Sequence, residues 1–94
     1  MGTIQTQPPE QFAKVIRSLE RKGLHDFSYT EDGGEPAIYL HCRHSQKNKR
    51  CVINILEDMD NPEKFEWLND RLDEELTGLS LRQITNKIRP YINL

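Results

Sequence analysis

The stretch NPEKFEWLNDRLDEELT, residues 61–77, decides how the chain folds. Asn61 is a favourable N-cap, Pro62 sits where its missing N–H costs nothing, and Gly78 can take the left-handed conformation that closes a helix. At 100° per residue, Phe65, Leu68, Leu72 and Leu76, with Leu79 just beyond the glycine, fall on one stripe. The spacing predicts an amphipathic helix whose apolar stripe faces a core. Glu63, Glu66, Asp70, Asp73 and Glu74 fall on the other side with Trp67, and only Lys64 and Arg71 lie at the margin. Like charges one turn apart, such as Glu66 and Asp70, weaken a helix by roughly 0.2–0.5 kcal/mol per pair. An outward tryptophan among carboxylates has the make-up of a contact surface.

The charge pattern along the rest of the chain is uneven. Residues 57–75 carry nine acidic and two basic side chains, whereas residues 41–50, HCRHSQKNKR, carry four basic ones and no acid. The net charge of −2 conceals this division and disfavours a protein that binds polyanions over its whole surface. Ninety-four residues suffice for a single compact domain spanning 1–94 with one small core. The longest apolar run is a few residues, so no membrane span is expected. The N-terminal MGTIQTQPPEQ lacks the regions of a signal peptide, which points to a cytoplasmic protein.

Before the acidic stretch, Phe12, Val15, Ile16 and Leu19 have helical spacing, and the helix is expected from Pro8 or Pro9 to Lys22. Gly23 stops it, with Leu24 placed for the hydrophobic contact that accompanies a glycine cap. Phe27 and Tyr29 alternate with polar residues in a first strand from about His25, and Asp32, Gly33 and Gly34 mark a hairpin loop. Ala37–His44 and Arg50–Glu57 read as the second and third strands, joined by a loop centred on Gln46 and Lys47. Partners then sum to 93, which places Ile38, Leu40 and Cys42 opposite Ile55, Ile53 and Cys51 on one face. Arg43 and Arg50, His41 and Val52, and Tyr39 and Asn54 pair on the other. A last helix, Ser80–Arg89, opens on a capping box formed by Ser80 and Gln83 and presents Leu81, Ile84 and Ile88. The expected fold is therefore α+β, with a three-stranded antiparallel sheet, helices packed on one face and the order α-β-β-β-α-α.

The chemistry-bearing residues favour binding over catalysis. The sequence contains no G-x-S-x-G, no Gly-rich phosphate loop opening a helix and no H-E-x-x-H, so no catalytic residues are assigned. Cys42, Cys51 and His44 share a face while His41 points away, and without a fourth ligand no metal site or cofactor is expected. Small core cysteines are the simplest reading of the two thiols, with a redox-sensitive pair as the alternative. Asp58, Asp60 and Glu63 lack the glycine and distal glutamate of a calcium loop, and helix N-terminal charge stabilisation is their expected role.

Two surfaces remain. Glu63, Glu66, Trp67, Asp70, Asp73 and Glu74 form an acidic helix face suited to a basic surface on a partner protein, which suggests a non-enzymatic module of the phage- or plasmid-inhibitor kind that mimics phosphate. The alternative is a small nucleic-acid-binding domain that uses Arg43, Lys47, Lys49 and Arg50 of the hairpin, with Lys14, Arg17 and Arg21 of the first helix adding charge. A basic solvated tip that guards against edge association is also consistent with those residues. A homodimer in which the acidic helix meets the basic hairpin would use both surfaces. The α-β-β-β-α order resembles that of double-stranded-RNA-binding domains and HicA-type toxins in topology, but the chain lacks the lysine-rich second-helix start of the former and the glycine-serine-histidine run of the latter.

Overall fold

A computed structural model describes residues 8–32 and 34–91. The first helix, α1 (Glu10–Arg21), buries Phe12, Val15 and Leu19. It ends as the glycine predicts: Gly23 has φ +83°, and the Leu24 N–H donates to the Leu19 carbonyl at 3.0 Å. Strands β1 (Phe27–Asp32), β2 (Glu35–His44) and β3 (Lys49–Glu57) follow, and the β2–β3 register is the one expected, from Ala37 opposite Leu56 to His44 opposite Lys49. Gly33 of the expected β1–β2 loop lies outside the described residues.

The next segment overturns the expected helix and with it the three-stranded sheet. Residues 61–79 form a turn, strand β4 (Phe65–Asn69), a short 3-10 turn at Asp70–Leu72, and strand β5 (Glu74–Leu79). The sheet is five-stranded and antiparallel throughout, in the order β1-β2-β3-β4-β5. The chain closes with α2 (Leu81–Ile88), whose Ser80–Gln83 capping box is formed in both directions, and a 3-10 turn at Arg89–Tyr91.

The residues that suggested a helix serve a hairpin equally well. Asn61 is not an N-cap; its side chain accepts from the Glu63 N–H (3.1 Å), and Lys64 N–H donates back to its carbonyl (2.9 Å), with Pro62 at the second position of a β-turn. Gly78, at φ +69°, lies inside β5, where its N–H reaches the Asp58 carboxylate at 2.7 Å. The deciding quantity is burial. Phe65, Trp67 and Asn69 are all fully buried at a period of two, and Trp67 lies opposite Ile55. Burying an indole of about 150–250 Å² at roughly 25 cal/mol per Å² yields several kcal/mol, which the helical alternative forfeits by turning Trp67 outward.

Both helices pack on the face carrying Ile38, Leu40, Ile53, Ile55, Phe65 and Trp67, and one hydrophobic cluster fills the space between. Among the described residues no helix covers the opposite face. Across it run continuous rows set by register: Thr30-Ala37-Leu56-Glu66, then Ser28-Tyr39-Asn54-Leu68-Glu75, then His41-Val52, and last Arg43-Arg50. This face is acidic towards β4 and β5 and basic towards the β2–β3 turn.

Candidate functional site

The β2–β3 hairpin projects beyond its neighbours, because β1 pairs with β2 only as far as Leu40 and β4 reaches β3 only as far as Ile53. The arm so exposed is braced from below. Ser45 N–H donates to the Pro90 carbonyl (2.9 Å), and the buried His44 ring meets Tyr91 edge-on at 5.0 Å and 83°. His44 Nδ1 accepts from the N–H groups of Gln46 (3.2 Å) and Lys47 (3.1 Å), so its ring proton resides on Nε2. Asn48, at φ +54°, closes the turn in the left-handed region that asparagine tolerates.

On this arm Arg43 and Arg50 stand directly opposite each other, and both are exposed with Lys47 and Lys49. Like charges facing across a strand pair destabilise it. Arg43 donates to the Asn48 side chain, but the salt bridges among the described residues, Arg17 with Glu10 and Lys87 with Glu74, leave the hairpin cations without a carboxylate. A concavity of about 840 Å³ opens around the base of the arm. It is lined by His41, Arg43, Arg50, Val52 and Asn54 and, from the core side, by Cys42, Cys51 and Tyr91, with Asp26 and Gly23 on the α1 side and Asp70 and Arg71 on the other. Val52 is half exposed, and Tyr39 and Asn54 are half buried beside it. The arrangement offers cations for phosphate oxygens next to a flat polar and aromatic platform.

On the far side of the same strands, Cys42 and Cys51 are opposed free thiols against the core. Burial, the neighbouring Cys51 and the Asp26 carboxylate push the Cys42 thiol up to about 12. Burial also raises Tyr91, whose hydroxyl accepts from Asn69 Nδ2 at 2.9 Å. These groups are held neutral and support the arm. No group of three or more metal-ligating side chains gathers among the described residues.

The acidic surface expected on a helix is dispersed. Glu63 lies in the turn before β4, Glu66 on the helix-free face opposite Leu56, Asp70 in the 3-10 turn, and Asp73 at φ +56° between that turn and β5. Trp67 points the other way, into the core, and its indole N–H donates to Glu74 Oε1 at 3.0 Å. Glu74 Oε2 in turn lies 3.6 Å from Lys87, which sits 5.2 Å from the centre of the Trp67 ring. No single face therefore carries Glu63, Glu66, Trp67, Asp70, Asp73 and Glu74, because strand alternation sends neighbours to opposite sides. The alternative set, Arg43, Lys47, Lys49 and Arg50, is brought together on one arm. Sequence reasoning missed Arg71, which joins the concavity only because the 3-10 turn after β4 returns beside β3.

No helix among the described residues is long and apolar enough to cross a membrane. No protein family, curated protein or solved structure matches the chain.

Proposed function

We propose that the protein is a non-enzymatic nucleic-acid-binding module that holds a single strand on the helix-free face of its sheet, with phosphates against Arg43 and Arg50 and against Lys47 at the tip. Lys49, paired with the buried His44, lies on the other side of the arm and adds only to its overall charge. The observation that carries this reading is the Arg43–Arg50 pair, placed face to face on a braced arm and salt-bridged to no carboxylate among the described residues, with Asp26 and Asp70 at the rim of the concavity beside it. Tyr39 and His41 lie along the same face, where bases can stack, and the open sheet admits splayed bases that a groove would exclude. Glu66 and Glu75 lie on this face at β4 and β5 and Glu35 at the far end of β2, which favours a footprint on the β2–β3 end that carries Arg43 and Arg50.

The test is fluorescence anisotropy with labelled single-stranded RNA and DNA over a salt series. Binding should weaken as salt rises, by about 0.7 in log K per log salt for each phosphate neutralised. The Arg43→Ala, Arg50→Ala double variant should lose most of it. Absence of binding at low salt refutes the reading. Light scattering over the same series distinguishes it from self-association, in which the basic arm of one copy would meet Glu66 and Glu75 of another.

A further inference from the structure

A second cationic feature lies on the opposite side of the molecule, between the two helices. A groove of about 380 Å³ separates α1 from α2, and Lys14, Arg17, Arg21 and Arg82 line it together with the hydroxyl residues Ser18 and Thr85. Among the described residues no acidic one lines it. Arg17 meets Glu10 at 3.3 Å, an exposed bridge that competes weakly with a ligand. Lys14, Arg21 and Arg82 form no salt bridge among the described residues and are exposed.

The geometry points to a second phosphodiester-binding surface in the α1–α2 groove, which a nucleic-acid strand long enough to pass round the C-terminal end of α1 contacts together with the hairpin site. Lys14 and Arg21 are seven residues apart on α1, or about 10 Å along its axis, far enough apart to meet different phosphates of one strand. Arg21 then leads to Gly23, Leu24 and His25, which line the concavity below Arg43 and Arg50. The C-terminal end of α1 thus lies between the two basic features. Ser18 adds a hydroxyl group to the groove, whereas the Thr85 hydroxyl already donates to the Arg82 carbonyl at 2.8 Å and makes no donor for phosphate. An acidic protein segment is the competing occupant, and it would not show dependence on oligonucleotide length.

This inference rests on the nucleic-acid reading, and length dependence separates the two. Anisotropy is measured with labelled single strands of about 5 and about 15 nucleotides, within the site sizes such folds occupy. The variant Lys14→Gln, Arg21→Gln, Arg82→Gln changes only exposed side chains and leaves the Arg17–Glu10 bridge in place; a thermal melt checks its fold. It should bind the short strand as the parent does, bind the long strand roughly tenfold more weakly, and lower the salt slope for the long strand by about 2, at 0.7 for each of three contacts. Equal long-strand affinity in parent and variant overturns the groove while the hairpin site stands. Equal loss on both strands also overturns it, by making the effect one of net charge. Failure of the parent to bind either strand overturns both readings.

Discussion

The indole N–H of Trp67 donates to Glu74 Oε1 at 3.0 Å across the turn that joins β4 to β5. That bond ties the largest of the fully buried side chains to the acidic stretch and fixes where Glu74 points. Its first consequence is spectroscopic. Tryptophan emission should be blue-shifted and poorly quenched by iodide, since the indole is fully buried; a red-shifted, readily quenched emission would return Trp67 to an outward helix face. Trp67→Ala should cost about 3–5 kcal/mol in urea unfolding, and Glu74→Ala about 1–2 kcal/mol through loss of the acceptor.

Asp58 supplies a second anchor. Its buried carboxylate accepts from Asp60 N–H (2.9 Å) and from Gly78 N–H (2.7 Å), which pins the β3–β4 loop to the bulged strand β5. Asp58→Ala should lower unfolding stability by roughly 1.5–3 kcal/mol, the range for hydrogen bonds to a charged group. Gly78→Ala should also destabilise, because φ +69° is strained for any residue with a Cβ. Chemical denaturation checks both, and unchanged midpoints would remove Asp58 from this role.

Alkaline pH should weaken the fold. Cys42 is raised from 9.0 to about 12, chiefly by burial, and Tyr29 from 10.0 to about 12 by burial and its hydrogen bond to Glu31. A raised value means that the folded chain holds its proton where the unfolded chain has lost it. The stabilisation is complete below about pH 9 and is lost as pH climbs towards 12. Thermal midpoints should therefore decline from pH 9 upward, and Cys42→Ala should flatten the first part of that decline. The same burial predicts slow alkylation of Cys42 at pH 8 in the folded protein and fast alkylation in urea.

The hairpin arm was legible in the sequence, and the β4–β5 hairpin was not, for a definite reason. Ile38, Leu40, Ile53 and Ile55 alternate so strictly that only one register makes a wholly apolar face, and the structure has that register. In residues 61–79, by contrast, Phe65, Leu68, Leu72 and Leu76 satisfy a helical period while Phe65, Trp67 and Asn69 satisfy a strand period. Asn, Pro and Gly punctuate turns as well as helix ends, so local signals did not arbitrate. Pairing of Trp67 with Ile55 did, and that is a contact between residues twelve apart. The basic arm could be read because its residues are contiguous; Arg71 and Arg82 required the folded chain to bring them beside distant partners.

His44 offers a way to separate charge from shape. His44→Ala retains every cation of the arm but leaves the Gln46 and Lys47 N–H groups without their acceptor and removes the ring packed on Tyr91. Amide hydrogen exchange at Gln46 and Lys47 should accelerate, and affinity for a single strand should fall several-fold with an unchanged salt slope, since the number of phosphate contacts is preserved. A fall in slope would instead mean that His44 itself meets phosphate.

The central claim is that nucleic acid lies on the helix-free face beside Arg43 and Arg50. Its most direct test is a nuclear magnetic resonance titration of the isotopically labelled protein with a short single strand. The account predicts amide shift changes concentrated at Tyr39–Arg43 and Arg50–Asn54 and small at β5. Absence of shift changes at low salt, or changes confined to Asp70–Leu79, would contradict it.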